Sequence, residues 1–257
     1  MSVLVELGKI AAPVCAVRYP KRGKELPASY SVLRHMAKRE GKGLFDLVLF
    51  DGLYACEPLW KLCDEIGVSG LVKTSEESLN IIKDANGIFD APRLLPEVEY
   101  VEELDLERSC SCRIWAVGEL EWSNIERKLK VARVEQTFLK GARKGQKERF
   151  WVLTQDSTLD GSTLKLLAHR RWFIENNLFK AFNEQTHSKH LFNHTPAAAV
   201  NITLLQMVGR TCLEFYRTSL ERSRQCMKDW WDHGTFSPKV LRTLLWSSLG
   251  QVELNTT

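Results

Sequence analysis

The sequence predicts an α/β fold: a mixed sheet with helices, interrupted by a β-rich block. Three observations carry this. Leu47-Val48-Leu49-Phe50 is a continuous apolar run, the pattern of a strand covered on both faces. Up to residue 84, short apolar runs alternate with helical periodicity in the order strand, strand, helix, strand, helix, strand, helix. Beyond a linker at 84–96, the texture changes to long, half-polar strands.

Each element has its own signal. Residues 3–7 and 12–18 flank Gly8-Lys9 as a hairpin. Over 27–38, Tyr30, Leu33 and Met36 or Ala37 recur at helical spacing, and Gly41 ends the helix. The run at 47–50 stops at Asp51-Gly52, and a helix over 57–66, a buried-type strand at 69–73 and a helix at 76–84 follow. Asn86-Gly87, Pro92 and Pro96 punctuate the linker. Residues 113–122, 128–139 and 149–155 read as strands, separated by loops such as KGARKGQ. A long helix starts at Gly161 behind Asp160-Gly161-Ser162-Thr163 as its capping region. A second begins after Pro196, which suits a first-turn position, and reaches about residue 222. The tail holds Trp230-Trp231, read as packing, and a short helix at 238–249.

The 257 residues can bury a substantial core, with 44% hydrophobic and 26% charged residues as in a soluble globular protein. A net charge of +4 permits a nucleic-acid partner without demanding one. The distribution says more. Residues 97–107 hold six acids and no base, read as a solvated face, whereas 123–150 hold nine Lys/Arg against three acids. Seven scattered cysteines without a C-x-x-C pair fit a reducing, cytoplasmic setting, and Cys110-x-Cys112 is too close for zinc-knuckle spacing. MSVLVELGK indicates no signal peptide, and the longest stretch without charge or His, 195–209, is too short to span a bilayer.

The chemistry centres on residues 164–182, LKLLAHRRWFIENNLFKAF. At helical period Leu164, Leu167, Arg171, Glu175 and Leu178 share a face, an apolar stripe carrying an arginine and a carboxylate. Taken alone, this reads as an internal salt bridge from Arg171 to Glu175, because a desolvated charge is costly unless paired. Asp51, in turn, ends a buried strand, where open α/β sheets place reactive groups. One acid on a strand end and one on a later helix is a way to build an oxygen-ligand Mg2+ site. Two such ions can activate a hydroxyl and stabilise the leaving oxygen of a phosphodiester.

LVLFDGLYA, with Asp51, and RRWFIENNLFKAFNEQTHSKHLFNHTPAA, with Glu175, resemble motifs of bacterial insertion-sequence DDE transposases, specifically the insertion-sequence-4 family. The likeness covers nearly the whole chain, and Arg-Trp-x-Ile-Glu-Asn is its most specific part. The resemblance implies a ribonuclease-H-like fold divided as 1–84 (first part of the catalytic domain), 85–159 (β-rich insertion) and 160–257 (remainder and C-terminal helices). It implies DNA cleavage and strand transfer at mobile-element ends with Mg2+ or Mn2+. Asp51 and Glu175 would be catalytic metal ligands, Arg171 would support the DNA backbone or Glu175, and a homodimer would form the synaptic complex.

Two departures qualify this expectation. The family signature Tyr, two residues, Arg, three residues, Glu, six residues, Lys finds Ala168 and Phe182 at its Tyr and Lys positions. Lys180 cannot substitute, because two residues is about 200° round a helix. A ribonuclease-H-like sheet also begins with three antiparallel strands, the first central and carrying the first Asp. This chain offers two, read as the second and third, so the first is expected upstream of Met1. Glu6 reads as solvent-facing at least as readily as catalytic. The expectation is therefore a truncated transposase, inactive by itself, whose sheet lacks its middle strand.

Within the basic block, Lys128, Lys130, Arg143, Lys144 and Lys147 are candidate phosphate contacts, the alternative being a solvated β-ribbon. Trp115, Trp122 and Trp151 read first as core, although the family resemblance would let one stack on an unpaired base. His187, His190 and His194 lack a fourth ligand for zinc and read as supporting residues. The rival readings are a ribonuclease-H-fold nuclease, and a DNA-binding or multimerising remnant without catalysis.

Overall fold

The structure, a computed structural model, describes residues 2–7, 10–16, 25–41, 45–91, 95–122, 125–172, 180 and 195–222. It is α/β with a mixed six-stranded sheet. Backbone contacts divide the chain into two units, one of residues 19–173 and one of 1–18 with 174–257.

The larger unit holds α1 (Glu25–Glu40), β3 (Leu47–Asp51), α2 (Glu57–Ile66), β4 (Ser69–Thr74), α3 (Asn80–Phe89), β5 (Glu99–Asp105), β6 (Cys110–Trp122), β7 (Ile125–Phe138), β8 (Lys147–Thr154) and α4 (Gly161–Arg170). The strand order is β3-β4-β8-β7-β6-β5, with β3 and β4 parallel and every later pair antiparallel. The β-rich block therefore continues the sheet begun by β3 and β4, and the expected boundary at 84/85 falls between strands of that one sheet. In the smaller unit β1 (Ser2–Leu7) and β2 (Ile10–Ala16) form a separate antiparallel sheet, with β2 against α5 (Pro196–Arg222). The hairpin was expected in the main sheet; its described strands pair only with each other.

Alternating side chains divide the larger core in two. On one face Phe50, Val72, Trp115, Val131, Trp151 and Leu153 pack against α1, α2 and α3. On the other, Leu71, Ile114, Ala132, Val134, Phe150 and Val152 meet Leu164 and Ala168 of α4. The three tryptophans of the β block, Trp115, Trp122 and Trp151, are all buried. In α2, Pro58 occupies the first turn, Leu59, Leu62, Cys63 and Ile66 repeat at helical spacing, and Gly67 closes the helix at φ 72°.

Two elements differ from expectation. The third helix runs over 80–89 rather than 76–84, so Asn86-Gly87 is helical. Ile81, Ile82, Ala85 and Phe89 bury a continuous stripe on the sheet, and that burial outweighs the local turn preference. The acidic run is an edge strand, β5, whose part-buried Glu103 and Asp105 pair with Lys165 of α4.

Candidate functional site

Four strands bring their ends to one end of the sheet: β3, β4 and β7 finish there, and β8 begins there. Asp51 closes β3, and its Oδ1 accepts a hydrogen bond from Gly52 N at 2.8 Å, capping the 3-10 turn Gly52–Tyr54. Its carboxylate is otherwise open, with 59% of the side chain exposed. Asp51 is the register partner of Lys73 on β4, and Arg171, capping the end of α4, places Nη1 3.8 Å from Asp51 Oδ2. Arg171 thus reaches the acid on the strand end from α4, on the face of the sheet that this helix covers.

Lys73 is the residue that sequence reasoning missed. Only 8% of it is exposed, and no carboxylate stands within ion-pair distance among the described residues. Its Nζ sits 4.1 Å from the centroid of the Phe150 ring, a cation–π contact. Burial pulls its pKa down to about 8; Glu148 opposes that shift, and Arg171 adds to it. His169, one turn of α4 beyond Lys165, was missed too. It is buried edge-on to Phe150 and hydrogen-bonded to Gln136 at 2.8 Å. Burial, with Arg108, Lys73 and Lys165 nearby, pushes its pKa down to about 3, so it is neutral. The signal was present at 165 and 169, which fall on the same inward face as Leu164 and Ala168.

The basic block separates by position. Lys130 and Arg133 point inward: Lys130 is 6% exposed and holds Glu99 Oε1 at 2.6 Å, and Arg133 lies over Trp115 at 4.4 Å while pairing with Asp90 at 2.8 Å. Lys130 is therefore a buried ion-pair partner and is removed from the exposed set. Lys128 is exposed and pairs with Glu119 at 3.2 Å, but lies at the far end of β7 from Asp51. A strand that long separates its ends by roughly 40 Å. Arg143, Lys144 and Lys147 are exposed in and after the β7–β8 loop, at the same end of the sheet as Asp51. Arg143 lies over Phe138 at 3.8 Å and pairs with Glu148 at 3.2 Å. Glu175, His187, His190 and His194 lie outside the described residues.

A hard cation is not assembled by the described residues alone. Asp51 offers one carboxylate, and its charged neighbours Lys73 and Arg171 are cations, whereas Mg2+ wants several oxygen donors. One group of three metal-ligating side chains does gather among the described residues: Asp105, Cys110 and Cys112, with ligand atoms within 4.8 Å of one another. Among the described residues no helix is long and apolar enough to cross a membrane. No known family model matches the chain, and no curated protein matches it.

Proposed function

We propose that this chain is the catalytic region of a DDE-type transposase acting on DNA phosphodiesters with Mg2+ or Mn2+, Asp51 and Glu175 serving as metal-binding acids. The observation that carries the reading is the grouping of Asp51, Lys73 and Arg171 at the end of the sheet that also presents Arg143, Lys144 and Lys147. A buried ammonium with no ion-pair partner among the described residues is costly in the free protein and becomes favourable when an anion arrives. A phosphodiester is such an anion: Lys73 and Arg171 would grip its oxygens beside Asp51, and the loop cations would follow the strand away from it.

The test is nicking of element-end DNA by the purified protein with Mg2+ or Mn2+. With one family acid unaccounted for, no nicking is expected of the chain alone; nicking that Asp51→Ala and Glu175→Ala abolish overturns that inactivity, and nicking that survives both substitutions refutes the assignment. A DNA-binding protein without cleavage is the second reading. Its support is that no group of three metal-ligating side chains among the described residues includes Asp51. It predicts binding, weakened by salt and by Arg171→Ala, with no nicking under any divalent cation.

A further inference from the structure

We propose that Asp105, Cys110 and Cys112 form a site for a thiophilic divalent cation, Zn2+ foremost, that fastens the β5–β6 hairpin beneath α4. Asp105 and Cys110 are cross-strand partners where β5 turns into β6. Cys112, two residues on, projects to the same face, so one edge of the sheet supplies three donors. The two sulfurs stand 3.6 Å apart. Tetrahedral zinc with bonds of about 2.3 Å holds two thiolates about 3.8 Å apart, so the ion fits between them with little movement. A disulfide fits less well: alternate residues of a strand have Cα atoms about 6.6 Å apart, near the limit of what a disulfide spans.

The surroundings are those of an outer shell. Arg108 N donates to Asp105 Oδ1 and Lys165 Nζ to Asp105 Oδ2, each at 3.0 Å, which fixes the carboxylate while leaving lone pairs on both oxygens. Lys165 is also held by Glu103 at 2.5 Å. Gln136 Nε2 lies 3.5 Å from Cys112 Sγ. Its Oε1 is buried and lacks a hydrogen-bond partner, and Gln136 as a whole is 1% exposed. Turning that amide over, with the proton of the Gln136–His169 bond then carried by His169 Nε2, presents an oxygen toward Cys112 as a fourth donor. Two soft sulfurs select zinc over magnesium, which makes this site chemically distinct from Asp51 and independent of the proposed DNA chemistry.

The fastening has a local consequence. Leu139 N donates to Ser109 O at 2.8 Å, so the hairpin turn that the ion would stiffen is bonded to the start of the basic β7–β8 loop.

The experiment is a Co2+ titration of the reduced, metal-free full chain, followed by Zn2+ competition. Expected are one equivalent bound, a thiolate-to-cobalt band in the near ultraviolet, its displacement by Zn2+, and a melting temperature raised by the metal. Cys110→Ser with Cys112→Ser should remove the band, Cys56→Ser with Cys63→Ser should keep it, and Asp105→Asn should weaken binding tenfold or more. Should the double serine variant fail to fold, zinc-edge X-ray absorption of the unaltered protein decides, two sulfur and two oxygen or nitrogen neighbours being expected. The proposal is overturned by absence of the near-ultraviolet band, by a first shell of nitrogen without sulfur, or by a band that persists in the folded Cys110→Ser/Cys112→Ser variant.

Discussion

Lys73 carries a charge where a sheet normally places an aliphatic side chain. With Leu71 it lies on the α4-facing side of β4, over the ring of Phe150. A pKa lowered to about 8 from 10.5 means that the folded state loses on the order of 3 kcal/mol by keeping Lys73 protonated at neutral pH. Because the unfolded chain holds that proton more tightly, the loss is complete below pH 8 and is relieved as pH rises from 8 toward 10.5. Lys73→Met is therefore expected to raise stability by about 1–3 kcal/mol at pH 7, measured by denaturant unfolding. The same change should weaken DNA binding and lower its salt slope by about 1. His169 works in the acid range. Folded, it stays neutral down to about pH 3, whereas the unfolded imidazole protonates near 6.5. The unfolded state gains that proton first, so this contribution is intact above pH 6.5 and declines as pH falls from 6.5 toward 3. Unfolding midpoints measured across that window should fall less steeply for His169→Gln than for the unaltered protein. His169 carried a signal in its spacing with Leu164 and Ala168, but Lys73 did not: a lone Lys in GLVKT looks like a surface residue until the partner face is known.

At the level of elements, periodicity located what burial dictates. The strand at 47–50 and the helix over Glu57–Ile66 stand where their apolar patterns put them, because each buries a face whose spacing is visible locally. β5 was hidden because its alternation is written in carboxylates: Glu99 and Glu103 hold Lys130 and Lys165, residues 31 and 62 positions away along the chain. No window of sequence shows such a pairing. The same reasoning places a sensitive contact between β4 and α2. A Cβ on Gly70 would meet Cys63 Sγ at 2.9 Å and a Trp60 ring carbon at 3.2 Å, and both residues are fully packed. Gly70→Ala is expected to cost about 1–3 kcal/mol, seen as a lowered melting temperature, since neither neighbour has space to yield. Gly87→Ala is the control: nothing lies within 4 Å of its Cβ position in α3, and a helical alanine should be neutral or slightly stabilising.

At the scale of the molecule, the sheet is unevenly supported. β4, β8, β7 and β6 each have a strand on both sides, whereas β3 has one neighbour, β4, among the described residues. The sequence reading put Asp51 at a strand end, and it closes β3. What it could not show was how the site closes, because that depends on α4 crossing back to bring Arg171 to Asp51. The exposed margin of β3 has a consequence for local breathing. Alternate amides of residues 47–51 face away from β4, so they lack a ladder partner in the described structure and should exchange with deuterium orders of magnitude faster than those of β7 and β8. Asp51 thus rides on an edge strand of its sheet, as the acids of β5 do at the opposite edge. A bound oligonucleotide that orders this margin would slow the exchange of 47–51 while leaving the interior strands unchanged.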